Sequence, residues 1–159
     1  MWDHDLAIFG RIALAAGLGY AVGWEREVRG HPAGSRTFAL VAAGSAGFTA
    51  IAIDAFPATA EKLIAGVVTG IGFIGAGVVL RDPSGHVRGL TTAAAIWSIA
   101  SVGVIAGVAR FVLASLVASL FLLVLEMPSI PVLKRLDPAR WAQRFTNDAP
   151  PPDSDRTSN

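Results

Sequence analysis

Seven charged side chains have the types and spacing for electrostatic chemistry. Glu25, Arg26, Glu27, Arg29 and Arg36 fall within twelve residues, and Arg81 and Arg88 bracket a second short segment. Glu25 and Arg29 stand i,i+4, so they share a face if the first apolar segment continues as a helix. Arg36 is then placed to pair with Glu25 or Glu27, and Arg81 and Arg88 to extend the set into a network that ties several segments together. Arginines in such a set also suit lipid phosphate, because a guanidinium fork matches two oxyanion oxygens. The same run serves equally as a solvated basic loop that orients the chain in a membrane. The other candidates are single residues. Arg11 lies inside an apolar run, where an ionisable group calls for a partner, and Asp54 is the expected one; snorkelling to headgroups is the alternative. Thr69, Thr91 and Thr92 offer hydroxyls to neighbouring helices, with Thr91 and Thr92 placed to cap one.

Gly66, Gly70, Gly72, Gly75 and Gly77 crowd one segment. Gly70-x-Gly72-x-x-Gly75 spells the dinucleotide fingerprint, but that motif needs a strand before it, a helix after it and an acid about 20 residues on. Here it lies in an apolar run of membrane length. The glycines therefore read as a close-packing surface, with Gly66 and Gly70 in G-x-x-x-G register and the spacing repeated at Gly19/Gly23 and Gly103/Gly107. A locally unwound helix whose carbonyls line an ion site is the other reading. The chain has no Cys, and its three His show no zinc spacing. No nucleophile stands beside a base, and no cofactor motif is present, so neither an enzyme nor a cofactor is expected. The acids Glu25, Glu27, Asp54, Glu61, Asp82 and Glu126 sit at segment ends. Mg²⁺ keeps several waters and binds one or two carboxylates, so a dedicated Mg²⁺ path would rest on carbonyls and hydroxyls. No residue is assigned as a metal ligand.

These residues need a membrane to position them. The 159 residues are 53% hydrophobic and only 16% charged, with a mean hydropathy of +0.55. A soluble domain carries about 25% charge. Five stretches, 6–24, 37–53, 63–80, 90–108 and 111–125, hold 88 residues and one charge, Arg11. A helical span needs about 20 residues, so the expected fold is an all-α bundle of five transmembrane helices over residues 1–127. A tight turn near Gly107–Arg110 divides the last two, because 38 residues in one helix would run about 57 Å. With five spans, ten basic residues fall on one side and two, Lys62 and Arg110, on the other. That places the N-terminus outside and the C-terminus inside. The acidic start lacks the basic region of a cleaved signal peptide, so span one is expected to be retained. Residues 128–146 read as a basic juxtamembrane segment and 147–159 as a disordered tail. A net charge of +1 argues against a nucleic-acid partner.

Three segments recur together. They are Gly23-Trp24-Glu25-Arg26-Glu27-Val28-Arg29-Gly30 with Pro32-Ala33-Gly34-Ser35-Arg36-Thr37, then the glycine run from Gly66 to Arg81, then Val87-Arg88-Gly89-Leu90-Thr91-Thr92-Ala93-Ala94. In this order and hydropathy they resemble the MgtC/SapB family of bacterial inner-membrane proteins, over about residues 6–127. The resemblance implies a role in Mg²⁺ homeostasis or growth in low magnesium. It also implies association with a larger membrane complex, the F-type ATP synthase. The family archetype carries a soluble C-terminal domain, which this chain is expected to lack. Two functions follow: a regulatory or interaction protein, homo-oligomeric and held in lipid, or a small oligomeric ion transporter or channel.

Overall fold

The structure, a computed structural model, describes residues 2–81 and 87–127. Residues 1–122 form one compact unit; of a second, 123–159, only the end of the last helix and Met127 are described. The basic segment expected at 128–146, the tail at 147–159 and the turn expected at Asp82–Gly85 lie outside the described residues.

Five helices follow in order: α1 Trp2–Val28, α2 Ser35–Ala55, α3 Ala60–Val78, α4 Leu90–Gly107 and α5 Phe111–Glu126. A short 3-10 turn, Pro57–Thr59, leads into α3. α1 overruns its apolar stretch at both ends. Asp3 and Asp5 in its first turn and Arg26 in its last match the helix dipole. Its 27 residues measure about 40 Å, more than the roughly 30 Å of hydrocarbon, so both charged ends can clear it. Four helices are long and apolar enough to cross a membrane, α3 together with its leading turn. α5, at 16 residues, falls short of the usual length of about 20. One feature departs from an all-helical chain. Leu80–Arg81 (β1) and Val87–Arg88 (β2) pair antiparallel, Leu80 opposite Arg88 and Arg81 opposite Val87. Two-residue strands leave no period-2 pattern to read.

Two helices end in the same way. At α1 the Gly30 amide bonds Glu27 O and the His31 amide bonds Arg26 O, with Gly30 at φ 73°. At α4 the Ala109 amide bonds Ala106 O and the Arg110 amide bonds Ile105 O, with Ala109 at φ 60°. Both are Schellman closures, which need a left-handed residue that glycine adopts most easily. The second one makes the turn expected near Gly107–Arg110.

α2 and α4 form the centre. α2 packs against α1, α4 and α3, and α4 against α2, α3 and α1. Phe38 and Thr49 of α2 and Ile96, Ile99 and Val102 of α4 are fully buried. The closest approaches run through two glycine pairs. A Cβ on Gly19 would stand 2.5 Å from Phe38 O, and one on Gly23 2.6 Å from Ser35 Cα. A Cβ on Gly103 would stand 2.7 Å from Ser45 Cβ, and one on Gly107 2.7 Å from Thr49 Cβ. Backbones can come this close only where side chains are absent, and packing contact then substitutes for a hydrophobic drive. α3 is peripheral: it buries only Ile71 and Gly75. Large apolar side chains face outward around the bundle, among them Leu40, Phe48, Phe73 and Leu116. That surface suits lipid rather than water.

Candidate functional site

The end of the unit that carries the α1–α2 loop also carries most of the charged candidates. The closure at Gly30 stops α1 just after Glu25, Arg26 and Arg29. Arg29 Nε lies 2.5 Å from Glu25 Oε1, the i,i+4 pair that the spacing predicts. Arg26 Nη1 lies 3.6 Å from Glu25 Oε2. Their burial differs: the Arg26 side chain is 4% exposed and that of Arg29 33%. Arg26 Nε and Nη2 have no hydrogen-bond partner, and neither Glu25 oxygen is in hydrogen-bond alignment. The ion pairs therefore hold by proximity, inside a region where a poorly paired polar group is costly.

Glu27 does something else. Its Oε2 accepts from the Ser35 amide at 2.9 Å and from Ser35 Oγ at 2.5 Å. The N-cap of α2 is Gly34, which has no side chain to cap with. A carboxylate from the preceding helix thus satisfies a first-turn N–H and opposes the dipole there. Gly34 leaves it room, since a Cβ there would stand 2.7 Å from Oε2. Sequence reasoning missed this bond; the signal was an acid placed before a capless glycine. His31, in the same loop, has its pKa held below the ordinary imidazole value. Burial is the main cause, Arg26 and Arg29 act the same way, and Glu25 opposes them.

The wider network forms only in part: Arg36 bears on Glu27 electrostatically without a close ion pair. Glu25 is taken by Arg29 and Arg26, and Glu27 by Ser35. Among the described residues, no ion pair joins Arg36 or Arg81 to either acid. Arg81 and Arg88 are exposed in the β1–β2 hairpin, and Arg36 is exposed on the first turn of α2.

At the opposite end the expected Arg11–Asp54 pair is also replaced. Asp54 Oδ1 lies 2.6 Å from His4 Nε2. Arg11 Nη1 donates to Gly107 O at 3.1 Å. Arg11 stands seven residues beyond His4, about 10 Å down the helix axis. The α4 closure uses the carbonyls of Ile105 and Ala106 but leaves that of Gly107. A cation at a helix C-terminus is favourable there. Arg11 also lines an apolar groove of about 600 Å³ with Ala7, Gly10, Leu14, Ala109 and Phe111.

The glycines of α3 lie apart from the closest helix approaches. Cβ atoms at Gly66, Gly70, Gly72 and Gly77 would meet nothing within 4 Å, and one at Gly75 would meet Ala93 at 3.7 Å. Within one chain those positions are open, Gly66, Gly70 and Gly77 on one side of α3 and Gly72 on another. Thr69 bonds Ala65 O in its own helix. Thr91 is exposed and Thr92 buried in the first turn of α4, whose N-cap is Gly89 with no side-chain cap. Gly89 is required there: it sits at φ 87°, and a Cβ would collide with Val78 O.

Residues 12–130 match the MgtC family. An uncharacterized protein of Haemophilus influenzae is 39% identical over 89% of this chain and 60% of its own length. Protein MgtC of Salmonella typhimurium is 45% identical over 59% of this chain and 40% of its own. Protein SrpB of Synechococcus elongatus is 36% identical over 84% of this chain and 79% of its own. The chain thus covers 40% of the length of the MgtC relative and 60% of the Haemophilus one. No solved structure matches.

Proposed function

The chain belongs to the MgtC family, and on that premise we propose that this multi-pass membrane protein sits in the bacterial inner membrane and works as a regulator. It acts by packing its helix bundle against other membrane protein, in adaptation to low magnesium, and catalyses no reaction. The basic residues orient it with the N-terminus outside and the α1–α2 loop and C-terminus inside, and α5 is the fifth crossing. The observation that carries the reading is the contrast between a filled centre and an open edge. Phe38, Ile96, Ile99 and Val102 close the middle of the bundle, which supports interaction over passage. α3 meanwhile offers small residues with open space beyond them, which supports docking of another helix. A second copy and a larger complex are the partners, and the family resemblance implies the F-type ATP synthase as that complex.

ATP-driven acidification of inverted vesicles tests this, with the chain present, absent or carrying Gly70→Leu. The chain should slow acidification and Gly70→Leu should relieve it; an unchanged rate sinks the partner. Chain-dependent Mg²⁺ entry into liposomes would favour transport instead. Labelling of Pro32→Cys by an impermeant reagent from the periplasm would reverse the orientation.

A further inference from the structure

Arg26 is a buried cation with an unpartnered edge. Its Nη1 faces Glu25, at a distance longer than a hydrogen bond, because Arg29 holds that carboxylate more closely. Its Nε and Nη2 are buried and have no acceptor. Those two nitrogens share one edge of the guanidinium, the side-on fork whose parallel N–H bonds match two oxygens of an oxyanion. An arginine cannot shed its charge to escape burial, so the fork calls for an acceptor. The surroundings favour a phosphate. Arg29 borders the cluster, and Arg81 and Arg88 lie in the strands that connect α3 to α4. Such a field draws multiply charged anions over chloride.

We propose that the Nε/Nη2 edge of Arg26 is a binding site for a phosphate oxyanion, carried either by a lipid headgroup or as free phosphate. The site is internal rather than a surface patch, since Arg26 is 3% exposed. Binding is therefore saturable and depends on the shape of the fork. Exposed arginines would instead give diffuse binding that salt screens away. His31 reports occupancy, because an anion beside Arg26 would offset the positive charge that bears on the ring.

The test uses the full chain in maltoside micelles, which contain no phosphate. The probes are inorganic phosphate and dihexanoyl phosphatidylglycerol, with chloride holding ionic strength constant. The readouts are the ¹⁵N titration of the His31 ring and the detergent-unfolding midpoint. Saturable changes in both are expected with at least one probe. Arg26→Lys keeps the charge but loses the fork, and should bind at least tenfold more weakly. Arg36→Gln should bind within about twofold of wild type. Response to phosphate alone assigns the free anion, and response to the lipid alone assigns the headgroup. No saturable response to either probe overturns the proposal, as does a response that chloride reproduces or that Arg26→Lys leaves unchanged. Should Arg26→Lys fail to fold, the wild-type His31 titration decides.

Discussion

Adding one methyl group at Gly103 and one at Gly70 should have opposite effects. A Cβ at Gly103 falls on the Ala42 carbonyl and 2.7 Å from Ser45 Cβ. Carbon contacts settle at about 3.5–4.0 Å, so α2 and α4 must part by roughly 1 Å. One of the two obstacles is backbone and cannot rotate away. Overpacking of this kind costs about 1–3 kcal/mol. A gap of this size also forfeits about a quarter to a half of the local dispersion contact, and the contact at stake includes Ile99 and Val102, both fully buried. Alanine returns about 1 kcal/mol of helix propensity. Gly103→Ala should therefore lose about 1–2 kcal/mol net once the forfeited contact is added to the overpacking and the propensity gain is subtracted. Gly70→Ala meets nothing within 4 Å, so within one chain it should gain up to about 1 kcal/mol. Unfolding titrations with sodium dodecyl sulfate in dilute mixed micelles, where the chain is monomeric, measure both. Equal midpoints for Gly103→Ala and wild type would refute the packing argument. A loss for Gly70→Ala that appears only at high protein-to-detergent ratio would show that its face packs on another chain.

Three further outcomes are expected. Ala109 holds a left-handed φ of 60° at the end of α4, which costs an alanine about 1–2 kcal/mol; Ala109→Gly should stabilise by about 0.5–1 kcal/mol after its own entropy cost, and a lower unfolding midpoint would contradict the closure described. His31 titrates below its unfolded value of 6.5, so between the two the unfolded chain binds more protons; stability should be complete above about pH 7.5, fall as pH drops through 6.5, and level off below the native pKa. The same titration of His31→Gln should lose that component, and an identical slope would remove His31 as its source; the charges facing it are Arg26, Arg29 and Glu25. Glu27→Ala should speed hydrogen exchange at the Ser35 amide, whose acceptor it removes, while Glu61→Ala leaves that amide unchanged; equal exchange in both would mean that Glu27 does not cap α2.

The helices are legible because charge is so unevenly spread. Runs with a single intruding Arg11 leave few other solutions. The turn between α4 and α5 follows from length alone. Partners are harder to read. Nearness to one end of the bundle points Arg11 to Asp54, yet the axial offset gives Asp54 to His4 and Arg11 to the Gly107 carbonyl. Spacing likewise cannot rank the glycine pairs. Gly19/Gly23, Gly103/Gly107 and Gly66/Gly70 share one signature, but the first two flank α2 while the third sits on the peripheral helix. Which helix is central is a tertiary property, and a helix that is apolar all round carries no mark of its place. α4 is such a helix, with no charged residue on any side, while glycine count alone points to α3.

The burial of Arg26, by contrast, can be read from the sequence, and charge obscures it. Ala15, Gly19, Val22, Gly23 and Arg26 are all buried, and their spacings of four, three, one and three are those of a single helix face. Treated as one member of a basic loop, Arg26 looks solvated. Placed on the small-residue stripe that brings α1 against α2, it falls three residues beyond Gly23 and seven beyond Gly19, on the same seam. Arg29 is three residues further on, and Glu25 reaches it at i,i+4 on the edge of that seam. A guanidinium at the end of a close-packed glycine seam has little room to snorkel, since the backbone of α2 already stands 2.6 Å from where a Cβ on Gly23 would be. The glycines that let the helices meet thus share one face of α1 with Arg26, which is buried along with them.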